Sequence, residues 1–287
     1  MTLMELVERS AARLEAAGVA FGHGTSNAFD EAAWLVLWQL KLPLQDLDEH
    51  AADRVDDTAA VDALIEQRIS TRKPAAYLTG EAWLQGVPFF VDERVIVPRS
   101  LIAEPLVDGT LDSWLSDRTQ RVLDLCTGNG SLAVLAALTW PDVSVLATDV
   151  SADALAVAAQ NVDRHGLGSR ITLAQGDGLQ AVKPAQGRFD LILCNPPYVN
   201  RQSMAALPPE FRAEPALALD GGKDGMDFIR RLFRGVRAQL APGGVLVLEV
   251  GHERTHFDAA WPRLPAVGLP TSAGDDQVLL IHADDLE

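Results

Sequence analysis

Apolar residues recur at two different periods along this chain, and the change of period divides it. Over residues 1–75 the spacing is helical. Leu3, Leu6, Val7, Ala11 and Leu14 share one face. Ala33, Leu35, Val36 and Leu40 follow Asp30, and Leu64 and Ile65 precede Arg68. Asn27 or Asp30 is placed to cap the second of these helices, and Asp57 or Thr58 a later one. Strand signals are absent from this unit, and so is any evident chemistry. Recognition or packing is its default role.

Residues 76–98 change character. The runs 77–84, 89–91 and 95–97 read as strands, with a turn at Gln85-Gly86-Val87-Pro88. Pro98-Arg99-Ser100 breaks that pattern, and a helix is expected over 102–115. From Arg121 onward strands and helices alternate. Strands are expected at 122–125, 143–148, 171–174, 189–194, 245–250 and 277–282. Helices are expected at 131–138, from a Ser151 cap to a Gly166 stop, and over 227–240 before Pro242-Gly243-Gly244. Such alternation implies an α/β architecture: a mostly parallel sheet with helices on both faces.

The 287 residues suit one large domain or two smaller ones, and 48% hydrophobic content is ample for a core. A net charge of −16 disfavours sustained contact with nucleic-acid phosphates and welcomes a basic protein partner; solubility alone would explain it equally well. Cys126 and Cys194 each follow an apolar run and read as small buried hydrophobes in a reducing compartment rather than a disulfide. Neither a signal-peptide pattern nor a membrane-spanning apolar run occurs, so a soluble cytoplasmic protein is expected.

Candidate chemistry gathers at the expected strand ends. Asn195-Pro196-Pro197-Tyr198 closes the 189–194 run. Two prolines forbid continuation of a strand, leaving an amide, free carbonyls and a ring at an edge where α/β sheets bind ligands. The first strand–helix turn holds Asp124, Cys126, Thr127, Gly128 and Gly130. It lacks the third glycine of a dinucleotide fingerprint, and Asp124 would repel a pyrophosphate but attract an ammonium group. Asp149 ends the second strand, where a carboxylate accepts from both hydroxyls of a ribose. Asp177, followed by Gly178, ends the third and is placed to meet an adenine amino group. Three acids at three successive strand ends describe a pocket for a nucleoside with a positively charged appendage.

This set, together with Asn195-Pro196-Pro197-Tyr198, resembles the class I S-adenosylmethionine-dependent methyltransferases. The Asn-Pro-Pro-Tyr variety belongs to enzymes that methylate planar nitrogens, adenine N6 or the amide of glutamine. That family has glycine where this chain has Cys126, which implies closer packing. The stretch from Tyr77 to Glu104 is similar to the linker of protein glutamine N5-methyltransferases. Glu81-Ala82-Trp83, Val91-Asp92-Glu93-Arg94-Val95 and Val97-Pro98-Arg99-Ser100 follow the branch acting on the large-subunit ribosomal protein uL3, with Leu101 replacing a proline. Arg212-Ala213-Glu214-Pro215 also matches these enzymes.

The resemblance implies a seven-stranded, mostly parallel Rossmann-like sheet. It implies a helical substrate-recognition domain over 1–75, a hairpin linker over 76–98 and a catalytic domain over 99–287. It implies S-adenosylmethionine as cofactor, held by Asp124, Cys126, Thr127, Gly128, Asp149, Asp177, Gly178 and Asn195. The Asn195 side-chain oxygen and the Pro196 carbonyl would accept the two amide hydrogens, with Tyr198 packed on the planar group and Pro197 and Arg99 beside the substrate. Arg99 could equally form a structural salt bridge. The implied partner is a basic ribosomal protein.

Other readings remain open: the release-factor branch, a DNA adenine methyltransferase, an NAD-dependent oxidoreductase, and a non-catalytic ribosome-assembly factor. His252-Glu253-Arg254-Thr255-His256 matches the zinc-protease pattern, but it starts at a strand end, leaves room only for a short helix before Pro262 and lacks a persuasive third ligand, so no metal is expected. His23, His50, His165 and His282 are scattered and read as surface or packing residues. Neither oligomeric state nor the modified glutamine is legible.

Overall fold

The computed structural model describes residues 1–116 and 119–286. Its centre is a seven-stranded sheet in the order β5-β4-β3-β6-β7-β9-β8. The strands are β3 (Arg121–Leu125), β4 (Ser144–Asp149), β5 (Ile171–Gln175), β6 (Phe189–Cys194), β7 (Leu240–Glu249), β8 (Val267–Gly268) and β9 (Val278–His282). Strands β3 to β7 pair in parallel, while β9 runs antiparallel to both β7 and β8. The near-continuous apolar runs of β3, β6 and β7 reflect burial on both faces. Successive residues feed opposite cores: Leu191, Leu193, Val245 and Val247 one side, Ile192, Cys194, Leu246 and Leu248 the other.

Helices Leu3–Ala16, Ala28–Leu40 and Ala59–Thr71 form the N-terminal unit. Thr2 and Glu5 make a reciprocal capping box at the first, and Asn27 caps the second. Thr58 precedes the third helix but spends its hydroxyl on Asp62, while Asp57 accepts from Ala59 N–H. The apolar core of this unit takes in Val91, Val95 and Val97, and reaches Ala154 and Val157 on helix Ala152–Arg164 beside the sheet. Among the described residues no helix is long and apolar enough to cross a membrane.

Several local expectations fail for identifiable reasons. Residues 77–79 belong to a short helix, Ala75–Thr79, rather than to a strand. The hairpin is confined to β1 (Glu81–Leu84) and β2 (Val87–Phe90), turning through Gln85 and Gly86, both at positive φ. Residues 95–97 form no strand, because their polar groups are taken elsewhere: Tyr77 Oη donates to the Val95 carbonyl and Val97 N–H to Glu214. The helix expected over 102–115 stops at Ala103–Val107, and Gly109 at φ 85° separates it from a 3-10 turn at Thr110–Trp114. The helix expected over 227–240 splits into Asp227–Phe233 and Val236–Gln239 around Gly235. Strand β7 begins before Pro242-Gly243-Gly244 and shifts register against β6 there, and β8 is too short to leave a periodic signal.

Candidate active site

The chain runs outward from β3 through β4 to β5, then returns to place β6 on the other side of β3. This reversal opens a crevice at the carboxyl ends of β3 and β6, the place where open α/β sheets bind ligands. Cys126 follows β3 and Asn195 follows β6, so the two candidate motifs meet there.

Two cavities adjoin at this edge. The first, about 240 Å³, is walled by Cys126, Gly128, Asp149, Asp177, Gly178 and Pro197, among others. Gly128 sits at φ 56° with open space where a side chain would project, so backbone forms that part of the wall. Asp149 accepts from Gly128 N–H and Ser151 N–H, each at 2.9 Å, which fixes the turn and the start of the next helix. Burial raises its carboxyl above the ordinary range, and these bonds oppose the shift. A carboxylate has about four acceptor positions, so two bonds leave capacity for a ligand. Asp177 is half-exposed at the cavity, 3.6 Å from Arg231, which lies over the Phe228 ring. Phe228 lines the same wall; its position within a helix gave no sequence signal.

Two of the expected donor-side residues are placed differently. Asp124 and Thr127 do not line the cavity. Asp124 is wholly buried behind the turn, accepting from Thr127 Oγ1 at 2.5 Å and Ala133 N–H at 3.1 Å. Burial pushes its carboxyl up to about 7, so it braces the turn instead of presenting a free charge to an ammonium group. The cause is strand alternation: Asp124 and Leu125 point to opposite faces, and Asp124 falls beneath helix Ser131–Thr139.

The second cavity, about 310 Å³, shares Ile96, Asn195 and Ala218 with the first. Asn195, Pro196, Tyr198 and Arg99 line it, whereas Pro197 faces the first cavity. Among the described residues no donor or acceptor engages the Asn195 side-chain amide, although it is partly buried. Tyr198 Oη donates to Glu249 Oε1 at 2.9 Å, and Glu249 Oε2 accepts from Ser100 Oγ and Leu101 N–H. Glu249 was missed, although an acid at a strand end is the signal that marked Asp149. Gly251 makes room for the Tyr198 ring: a side-chain carbon there would stand 2.4 Å from it.

Arg99 reaches this cavity and also forms the salt bridge, donating to both oxygens of Glu214 at 2.6 and 2.7 Å. Burial raises the Glu214 carboxyl, but His23 and Arg99 outweigh it and hold it at about 2. His23 is a packing residue, its ring 4.2 Å from that of Phe211 and its Nε2 3.5 Å from Glu214. The zinc-protease-like motif serves the loop after Tyr198. Glu253 accepts from Asn200 Nδ2 at 2.5 Å and contacts His256 Nδ1 at 2.6 Å. Among the described residues no group of three or more His, Cys, Asp or Glu could hold a metal ion.

Residues 109–221 match the family model of the methyltransferase small domain. The chain is 53% identical to the ribosomal protein uL3 glutamine methyltransferase of Bordetella pertussis, over 99% of this chain and 96% of that protein. It is 52% identical to the enzyme of that name from Burkholderia pseudomallei, over 99% and 95%. The fold is similar to the catalytic domain of human Mettl16 in complex with an RNA hairpin, with a TM-score of 0.51 at 14% identity over 77% of this chain and 78% of that one. A methyltransferase from Pyrococcus furiosus superposes with a TM-score of 0.50 at 21% identity, over 69% and 89%.

Proposed function

This chain belongs to the ribosomal protein uL3 glutamine methyltransferase family, a family of S-adenosylmethionine-dependent enzymes, and from that premise we propose how its own residues divide the work. The acceptor is the side-chain nitrogen of a glutamine on a basic large-subunit ribosomal protein of the uL3 type. The observation that carries this reading is the unengaged Asn195 amide where the two cavities meet.

The first cavity fits S-adenosylmethionine. Asp149 has acceptor capacity for ribose hydroxyls, Asp177 and the Gly178 backbone border the cavity beside the Phe228 ring, and Gly128 leaves the wall open to close approach. When bound, the cofactor supplies a methyl group on a sulfonium, electrophilic enough for a neutral amide nitrogen to attack. The protein's task is then positional. Asn195 Oδ1 and the Pro196 carbonyl accept the two N–H groups of the glutamine, which aims the nitrogen and stabilises the positive charge that grows on it. Tyr198, held by Glu249, packs on the amide plane. Bound there, the cofactor would supply the methyl group and leave as a neutral thioether, while the Asn195 and Pro196 acceptors hold the nitrogen that afterwards gives up a proton to water. No general base is invoked.

Incubation with isotopically labelled S-adenosylmethionine and either purified uL3 or a release factor, followed by mass spectrometry of peptides, tests the reading. Label is expected on one uL3 glutamine. Label on the release factor alone would overturn the choice of acceptor, and absence of cofactor binding by calorimetry would overturn the chemistry.

A further inference from the structure

A chain with a net charge of −16 carries one concavity of the opposite sign. Arg230, Arg231, Arg234 and Arg237 fall within a stretch, 230–237, that holds no acid, and Arg263 joins them from the turn after helix Arg254–Ala260. Between these segments and the C-terminal turn Ala283–Asp285 lies a cavity of about 540 Å³, larger than either cavity of the candidate active site. Arg230, Arg234 and Arg263 line it, with the rings of Phe233 and Trp261. Asp285 is the one acid on its wall among the described residues.

The fold does not use all of these cations. Arg230 is paired with Asp224 and Asp227, which stand outside the cavity. Arg234 and Arg263 are exposed, and among the described residues neither has a hydrogen-bond or ion-pair partner. A cation beside a helix carboxyl end is commonly explained by the helix dipole. That accounts for Arg234, which follows helix Asp227–Phe233. It does not account for Arg263, which stands past its helix in a turn closed by Leu264 N–H on the Trp261 carbonyl.

The rings are the second observation. Trp261 packs on Phe233 and Phe257, with ring centroids 4.7 and 5.1 Å away, yet stays partly exposed at the cavity. An anchored indole beside unpaired guanidinium groups is the combination that holds single-stranded nucleic acid: the cations follow phosphates and the ring receives an unstacked base. An acidic peptide matches the charge but gives the ring no work. A basic protein is repelled. The acidic remainder of the surface repels phosphates and so turns a strand toward this face.

We propose that this cavity binds a short segment of single-stranded nucleic acid, with Arg234 and Arg263 on its phosphates and a base against Trp261. The site goes beyond the function proposed above and is separate from the methyl-transfer machinery. Helix Asp227–Phe233 stands between it and the donor cavity, which Phe228 and Arg231 line. On this one face the expectation set by net charge is reversed.

Fluorescence anisotropy in about 50 mM salt tests it, with labelled mixed-sequence strands of about twelve nucleotides, RNA and DNA. Wild type is expected to bind the strands, and the tighter of the two names the source, since only RNA offers 2′-hydroxyls. Arg234→Gln/Arg263→Gln is expected to lose at least about tenfold in affinity. Its slope of log K against log salt should fall by about 1.4, two phosphate contacts at about 0.7 each. Trp261→Ala is expected to weaken binding about tenfold through lost stacking. Thermal melting and S-adenosylmethionine calorimetry of the arginine pair should match wild type. An exposed pair elsewhere, Lys183→Gln/Arg188→Gln, should leave affinity unchanged. Absence of binding by wild type would overturn the proposal, as would equal losses in the two double variants. So would a polyglutamate peptide that binds as tightly as the strands and ignores Trp261→Ala, since the cavity would then be a site for acidic peptides.

Discussion

Tyr198 Oη donates to Glu249 Oε1 at 2.9 Å, while the other oxygen of that carboxylate accepts from Ser100 Oγ at 2.6 Å and Leu101 N–H at 3.0 Å. One buried carboxylate therefore ties the Asn-Pro-Pro-Tyr loop to the segment that follows Arg99. Burial raises both the Glu249 carboxyl and the Tyr198 phenol, and the hydrogen bond between them fixes the ring over the loop. Tyr198→Phe keeps the ring and leaves one buried oxygen without its donor, at a cost of about 1–3 kcal/mol. The expected result is a lower melting temperature and a kcat reduced about tenfold, with cofactor affinity unchanged. A kcat equal to wild type would show that ring packing alone sets the loop.

Asn195→Ala removes the amide shared by the two cavities without opening the core, since Asn195 is only partly buried. Transfer is expected to fall by at least about a hundredfold, as on removal of one preorganised partner of transition-state charge. Cofactor affinity should stay within a few fold, because Asp149 and the Gly128 turn are untouched. Single-turnover assays and calorimetry separate the two quantities. Transfer near the wild-type rate would discard the amide clamp.

Cys126 sits at φ 60°, a left-handed conformation that costs a residue with a Cβ roughly 1–2 kcal/mol. The neighbouring Cys194 thiol and burial both push its thiol well above the ordinary range. Replacing cysteine with glycine removes the strain but also this packing, so the informative comparison is Cys126→Gly with Cys126→Ala. Glycine is expected to be the more stable variant by about 1 kcal/mol, the reverse of their order in regular structure. Urea midpoints measure the difference; equal midpoints would mean that the turn relaxes.

The sheet and its strand ends were legible because buried parallel strands and capped helices leave long, regular signals. Asp149, Asp177 and Asn195 stood at strand ends in the sequence and stand at the cavities in the structure. What failed was information carried across the chain. Val95-Ile96-Val97 has strand composition, but Glu214, far along the sequence, takes the Val97 N–H. Asp124 looked like its neighbouring acids, and only the helix packed over β3 shows that it faces inward. Glu253 sits in a metal-like motif, but its partners are Asn200 and His256 rather than a metal.

Asp124 also makes a prediction about pH. Its ordinary value is 3.8, and burial raises it to about 7 in the folded chain. The unfolded chain therefore releases this proton near pH 4, while the folded chain keeps it until about 7. Between those values the unfolded state binds fewer protons, so stability falls as pH rises and levels off above 7. The full difference is roughly 4 kcal/mol. Glu249 and Asp149 are raised too and slope the same way, so the wild type must be compared with Asp124→Asn. The variant is expected to flatten the profile of urea midpoints from pH 4.5 to 7.5 by that amount. Parallel profiles would show that Asp124 is ionised in the folded protein.

Glu214 slopes the other way. Its ordinary value is 4.5; burial would raise it, but His23 and the Arg99 fork hold it at about 2. Its contribution is fully present above pH 4.5 and is lost as pH falls toward 2, because the unfolded chain takes up the proton first. The same carboxylate accepts from Val97 N–H, so it joins the linker, the N-terminal unit through His23, and the loop that closes the acceptor cavity. Glu214→Gln leaves the Arg99 guanidinium, itself only partly exposed, without its counter-charge. The expected loss is about 3 kcal/mol at pH 7, the range found when one partner of a buried pair is removed. Toward pH 2 the wild type protonates this group and the two stability curves should converge. Convergence distinguishes a lost ion pair from a packing defect, which would separate the curves equally at every pH. The acceptor KM should rise alongside, since Phe211 and Leu219 of the same loop line the cavity that receives the glutamine.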